Sequence, residues 1–198
     1  MKVLLATRNA KKLVELQRIV DVANAGVFEI VGMSEVAAYA EAPENGLTFA
    51  DNALIKAREG AEHTGLPTVA DDSGLCVDIL GGMPGIFSAR WSGKHGDDEA
   101  NLDLVLAQIA DVKDEHRAAA FVCVAALALP DGRTWTVEGR MDGRLIRAPR
   151  GTGGFGYDPI FVPAGVDRTA AELAAEEKNR LSHRAQALRR LVELLCHS

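Results

Sequence analysis

The run AAAFVCVAALAL, residues 118 to 129, constrains the fold of this chain more than any other stretch. It alternates large and small apolar residues, so periodicity alone does not separate a buried strand from a buried helix. The residues after it decide between the two. Pro130-Asp131-Gly132 is a hairpin turn, and TWTVEGRM (134 to 141) then returns as a second strand. A long, buried strand leading into a central hairpin is the expectation.

Around that hairpin, strand and helix signals alternate. VLLA (3 to 6) reads as a short buried strand that ends in a polar turn. Leu13, Leu16, Ile19 and Val20 then recur at helical spacing. FEIVGM (28 to 33) is a second strand candidate, followed by a polar loop from Glu41 to Gly46. A helix is predicted from Thr48 to His63, with Thr48 as N-cap, Asp51 closing a box-like start, and Gly65 and Pro67 ending it. PTVA (67 to 70) is a strand running into Asp71-Asp72-Ser73-Gly74, and LCVDIL (75 to 80) reads as a separate strand. GGMPG (81 to 85) is a turn cluster, and Asp97 to Ile109 a helix. Near the end, Thr169 to Glu177 and Ser182 to Cys196 read as helices with a break near Lys178-Asn179. The pattern predicts an α/β fold, a mixed sheet with flanking helices. No linker-like boundary appears, so 1 to 198 is expected to be a single domain whose lobes, if two, are intimate.

Charge and cysteine usage narrow the function. A formal net charge of −6 argues against nucleic acid or a membrane surface as partner. Cys76, Cys123 and Cys196 are odd in number and lack metal spacing, which disfavours a disulfide framework or a zinc ribbon. The apolar run in MKVLLATRN is too short for a signal peptide or a membrane span, so a cytoplasmic protein is expected.

Three polar clusters and one glycine loop are candidates for chemistry. Thr7, Asn9 and Lys12 lie where a buried strand turns into a helix, a place that offers backbone N–H groups and positive charge to phosphate. Asp71 and Asp72 are adjacent at a strand end, so their side chains point to opposite sides: one can face a site while the other is structural. Glu41 and Glu44 lie in the preceding polar loop. Carboxylates without His or Cys neighbours suit Mg²⁺. Lys56, taken alone, reads as a solvated helix lysine. In the third cluster, Lys178 to Arg184, His183 and Arg184 fall in the first turn of a helix capped by Ser182. Positive charge is locally unfavourable there, and an acceptor-rich ligand would explain it.

GTGGFGYDPIF (151 to 161) contains G-x-G-x-x-G, but its context rejects a dinucleotide loop. That loop needs a strand before it and a helix opening on its last glycine. Here a charged turn precedes it, and Pro159 comes within three residues of Gly156. A close-approach loop carrying Phe155, Tyr157 and Asp158 fits better.

Thr7-x-Asn9-x-x-Lys12, Ala70-Asp71-Asp72-Ser73-Gly74-Leu75, Gly82-x-Pro84-Gly85, Ser88-Ala89-Arg90, Phe155-Gly156-Tyr157-Asp158-Pro159 and Ser182-His183-Arg184 occur in one order across nearly the whole chain. In this the sequence resembles the inosine/xanthosine triphosphate pyrophosphatases, the non-canonical purine nucleoside triphosphatases of the Ham1 type. Arg8 stands where that family often has glycine. The resemblance implies an elongated mixed sheet, two lobes around a nucleotide cleft, and a homodimer. It also implies Mg²⁺-dependent hydrolysis of dITP, ITP and XTP to the monophosphate and pyrophosphate. By position, Thr7, Arg8, Asn9, Ala10, Lys11, Lys12 and Lys56 would hold phosphates. Glu44 and Asp72 would serve the metal, with Asp72 as proton acceptor. Ser73, Phe155, Gly156, Tyr157, Asp158, Lys178, His183 and Arg184 would contact the nucleotide. Two competing readings are a nucleotide sensor without turnover, and a pyrimidine triphosphatase of the Maf type. The latter shares the architecture by resemblance but lacks the Ser-His-Arg and Phe-Gly-Tyr-Asp set.

Overall fold

The computed structural model describes residues 1–7, 10–22, 28–40 and 42–196, with the backbone alone for 10–12, 15, 22 and 196. In chain order the strands and helices are β1 (Lys2–Leu5), α1 (Ala10–Val22), β2 (Glu29–Gly32), α2 (Phe49–Thr64), β3 (Thr68–Val77), α3 (Asp98–Gln108), β4 (Ala118–Ala128), β5 (Thr134–Leu145), β6 (Phe161–Pro163), α4 (Ala175–Leu181) and α5 (His183–Cys196). The six strands form one sheet in the order β2-β1-β3-β4-β5-β6. β1 runs parallel to both β2 and β3, while β5 and β6 are antiparallel, so the sheet is mixed as expected. Among the described residues no helix is long and apolar enough to cross a membrane.

The apolar run behaves as its turn predicted. β4 is buried from its second residue to its last, and Leu129 and Arg133 close the hairpin with a 2.9 Å backbone hydrogen bond. The strand's period of two sorts its side chains. Cys123, Ala125 and Leu127 pack with Leu16 and Val20 of α1 and with Ala187, Leu188, Leu191 and Val192 of α5. Val124, Ala126 and Ala128 pack with Ala53, Ala57 and Ala61 of α2.

That alanine stripe has a consequence for the polar residues beside it. Small side chains at Ala53, Ala57 and Ala61 let α2 approach the sheet closely. At Gly60 even one added carbon would lie 2.6 Å from the Thr68 methyl. The helix starts where its sequence says. Thr48 accepts from the Asp51 N–H, and the Asp51 carboxylate accepts from the Thr48 N–H at 3.0 Å, a capping box worth about 1 kcal/mol. Gly65, in the left-handed conformation that favours glycine, ends it.

The chain divides into two compact units. One comprises Met1–Asp72, Cys123–Gly139 and Arg184–Ser198; the other comprises Ser73–Val122 and Arg140–His183. The core of the second unit gathers Leu75, Val77, Leu102, Val105, Ile109, Phe121, Leu145, Ile160 and Phe161.

Two sequence expectations are corrected here, and one strand was not anticipated. Asp71-Asp72-Ser73-Gly74 is neither a turn nor a strand terminus, because β3 runs through it without interruption. A glycine inside a strand marks a close approach. A carbon added at Gly74 would lie 2.4 Å from the Gly85 carbonyl oxygen and 2.4 Å from Ser88 Oγ. Second, no helix spans Thr169 to Glu177. α4 begins only at Ala175, contains Lys178 and Asn179, and gives way to α5 at Ser182. The chain before it is held by specific hydrogen bonds instead: Thr169 Oγ1 donates to the Arg150 carbonyl and the Ala170 N–H to the Phe161 carbonyl, both at 2.8 Å. Strand β6 had too short an apolar run to be read from the sequence.

Candidate active site

In the first unit, one stripe of α2 organises the polar residues. Asn52, Lys56 and Glu59 fall at i, i+4 and i+7, so they share a helix face. Each reaches away from the helix. Lys56 Nζ donates to the Asp71 carbonyl at 2.7 Å and to Glu44 Oε1 at 3.0 Å. Asn52 Nδ2 donates to Asp72 Oδ2 at 2.9 Å, while its Oδ1 accepts from the Gly46 N–H at 2.8 Å. Glu59 accepts from the Ala42 N–H at 2.7 Å. Lys56 is thus no solvated helix lysine; its side chain is 20% exposed and ties the acidic loop to β3. Neither Asn52 nor Glu59 carried a sequence signal, because Asp72 and Ala42, which they bond, lie 20 and 17 positions away in the chain.

The two aspartates separate as strand geometry requires. Asp71 turns inward and is 4% exposed, with its Oδ2 3.3 Å from Arg184 Nε. Asp72 lies on the other side of β3 and is only partly buried. Asp71 is therefore the inward, buried carboxylate of the pair, and Asp72 the partly exposed one. Arg184 opens α5 with its guanidinium paired to a buried carboxylate, which answers why a cation is tolerated at a helix N-terminus.

Thr7 follows β1 and its N–H donates to the Leu5 carbonyl at 2.8 Å. Arg8 and Asn9 lie outside the described residues, as do the side chains of Ala10, Lys11 and Lys12 and the whole of Glu41. Lys12 belongs to the first turn of α1.

The carboxylates Glu44 and Asp72 are hard oxygen donors, each held by a side chain of α2. Mg²⁺ usually takes one or two carboxylates and completes its shell with water and substrate phosphates. The donor set fits that ion, and a closed protein cage is not required.

In the second unit the glycine loop is organised around Asp158. This carboxylate is 4% exposed; its Oδ2 accepts from the Phe155 N–H at 2.9 Å and pairs with Lys178 Nζ. Asp158 is therefore the internal anchor of the loop. Lys178 Nζ also lies 5.4 Å from the centroid of the Phe155 ring, which is 61% exposed. Gly156 N–H donates to Asp98 Oδ2 at 2.8 Å, and Tyr157 is buried with its hydroxyl donating to the Ser88 carbonyl at 2.8 Å. Burial, and then the charge of Asp98, push the Tyr157 phenol above its ordinary range, so it stays a neutral donor. Ser88 in turn accepts from the Leu75 N–H at 2.9 Å and donates to the Gly85 carbonyl at 2.6 Å. That chain of bonds braces β3 just past Ser73, which is itself partly buried. His183 stacks on Phe121 with centroids 5.2 Å apart. No helix opens at Gly156; a single 3-10 turn and β6 come next, as the rejection of a dinucleotide loop requires.

Glycine at 154 is demanded twice. Its φ is +77°, and an added carbon would lie 2.1 Å from Asp158 Oδ2 and 3.0 Å from Lys178 Nζ. Gly154→Ala is expected to destabilise the protein by about 1–3 kcal/mol through backbone strain and displacement of that ion pair. Urea unfolding checks it; an unchanged midpoint would show that the loop yields without cost.

These features define a class: an α/β protein on a mixed six-stranded sheet, with carboxylates, lysines and an exposed ring held by dedicated polar contacts. The Ham1 family model matches residues 3–194, and the chain belongs to the Ham1 family. It is 60% identical over 195 residues to a Streptomyces coelicolor protein named dITP/XTP pyrophosphatase, covering 98% of this chain and 96% of that one. A Corynebacterium glutamicum protein of the same name is 59% identical over 197 residues, again covering 98% and 96%. Among solved structures, a Mycobacterium abscessus nucleoside-triphosphatase, also titled dITP/XTP pyrophosphatase, matches at TM-score 0.84 and 57% identity, covering 98% of this chain and 100% of that one. A HAM1 protein from Coxiella burnetii matches at TM-score 0.91 and 40% identity, with both chains fully covered.

Proposed function

We propose that this protein hydrolyses non-canonical purine nucleoside triphosphates (dITP, ITP and XTP) to the monophosphate and pyrophosphate, with Mg²⁺, and so cleanses the nucleotide pool. The observation that carries the reading is the α2 stripe: Asn52 holds Asp72, and Lys56, one turn further on, holds Glu44 and the Asp71 carbonyl. Near-full-length identity to relatives named for this activity supports it.

Hydrolysis at the α-phosphorus forms a bond from water oxygen to phosphorus and breaks the bond to the bridging oxygen, releasing pyrophosphate. The attacking water must lose a proton, and Asp72 is the proton acceptor. Lys56, with Thr7 and the Arg8 to Lys12 segment, binds the phosphates and offsets the charge that builds on their oxygens. Glu44 and Asp72 would hold the metal, which would supply neutralisation of charge on the phosphate oxygens. The base and ribose engage Ser73, the Phe155 to Asp158 loop, Lys178, His183 and Arg184. Phe155 stacks on the base, and Asp158 and Lys178 keep that ring in place. Hypoxanthine and xanthine offer an acceptor at position 6, where adenine offers a donor. A donor from Arg184 or His183 favours the former, and a site built around one hydrogen bond rejects its mismatch strongly. We further propose a cytoplasmic homodimer, with nucleoside triphosphates rather than nucleic acid or membrane as its partners.

The test is a substrate panel. Purified protein with Mg²⁺ is given dITP, XTP, dATP and dGTP, and products are separated by chromatography. Expected are monophosphate plus pyrophosphate from dITP and XTP, little turnover of the ordinary nucleotides, and loss of activity on chelation that Mg²⁺ restores. Orthophosphate with a nucleoside diphosphate would move attack to the γ-phosphorus and undo the role of Asp72.

A further inference from the structure

Asn52 is 1% exposed, a buried amide inside the first turns of a helix. A buried amide must satisfy both its ends, and the partners here dictate its orientation. The Gly46 N–H can only donate, so it faces Oδ1; an ionised Asp72 can only accept, so it faces Nδ2. Asn52 thus clamps one oxygen of the Asp72 carboxylate and at the same time holds the loop that carries Glu44. Ala53 beside Asn52 is fully buried, and the Thr48–Asp51 box fixes the helix start one turn earlier.

We propose that Asn52 is a positioning residue for the reaction: by holding Asp72 Oδ2 it sets the plane in which that carboxylate meets the reacting water. The inference rests on the reading of Asp72 as proton acceptor. Alanine would serve the helix better than asparagine, and an apolar side chain would serve the core better. Retaining a buried amide here makes sense when its donor has a task outside the fold.

A double-mutant cycle tests this. kcat and KM for dITP are measured for the wild type, Asn52→Ala, Asp72→Asn and the double variant, with enzyme in excess for the slow members and thermal unfolding for all four. Asn52→Leu, of the same shape as asparagine but without polar atoms, replaces alanine if the smaller side chain leaves an unfolding cavity. Asn52→Ala is expected to lower kcat by about 10- to 100-fold, as removal of an orienting partner does, with KM changed by less than about threefold. In the Asp72→Asn background the same change should cost less than about threefold, because the group it orients is gone. An equal loss in both backgrounds, or a loss that only tracks the melting temperature, would make Asn52 structural and overturn the proposal. A wild type that leaves dITP intact, or a fully active Asp72→Asn, would instead remove the underlying reading along with it.

Discussion

Asp72→Asn is expected to lower kcat for dITP hydrolysis by about a thousandfold, within the range lost when a general base is removed. The fold should survive. An asparagine can still accept from Asn52 Nδ2 through its own amide oxygen, so the 2.9 Å contact that holds the position has a substitute. The position is also only partly buried, so no charge is left stranded in the core. On the proposed reading of Asp72, what disappears is the capacity to take a proton from water and one charge at the proposed metal site. The loss should fall on kcat and on kcat/KM alike, the signature of an interaction made only in the transition state. Continuous detection of pyrophosphate, with thermal unfolding as a control, measures both. Full turnover in this variant would mean that another group accepts the proton. The neighbouring Asp71→Asn should behave differently. That carboxylate is 4% exposed and paired with Arg184, so its change should appear as destabilisation before it appears as slow chemistry.

Arg117→Ala is expected to cost about 3–5 kcal/mol of stability, the largest effect of any single substitution away from the candidate site. Arg117 is 2% exposed at the start of the long hairpin. Its guanidinium donates to three carbonyls: Ile109 at 2.7 Å, Leu145 at 3.0 Å and Ile146 at 3.2 Å. Ile109 caps the C-terminus of α3, where the helix leaves carbonyls unsatisfied and a cation is favoured. One side chain therefore joins a helix end to the far end of β5. Burial, and then the like charge of Arg147, lower its pKa, yet a guanidinium remains protonated and keeps all its donors. Alanine would remove the guanidinium donors from all three carbonyls, leaving that of Ile109 with the Val112 N–H at 3.1 Å, and would open a cavity. Arg117→Lys should fall between, since an ammonium cannot fork across three acceptors. Urea unfolding of the two variants reads the difference. A midpoint within experimental error of wild type would show that water replaces the guanidinium and that the staple is dispensable.

Much of this architecture was legible in the residues. The hairpin could be read from a long apolar run ending in Pro130-Asp131-Gly132, and α2 from Thr48, Asp51 and Gly65. Those signals are local: a turn or a cap involves groups a few residues apart. The errors lay where local and distant forces disagreed. Thr169 to Ala174 has helical composition, but hydrogen bonds to Arg150 and Phe161 hold it out of a helix, and no window of sequence contains those partners. Asp71-Asp72-Ser73-Gly74 has turn composition, but the strand continues because Gly74 admits the Gly85 carbonyl and Ser88 against it.

The candidate site divides along the same line. The order of its motifs, the alternation that puts Asp71 and Asp72 on opposite faces of a strand, and the family they indicate were determined by the sequence itself, since each depends on residue identity and a short-range period. Which aspartate turns inward, why Lys56 is bound rather than solvated, and the clamp of Asn52 on Asp72 were decided only by the tertiary structure. The reason is the close packing of the α2 alanines on β4 and of Gly60 on Thr68. Hydrogen bonds act over about 3 Å, and only the fold brings residues 12 to 113 positions apart within that reach.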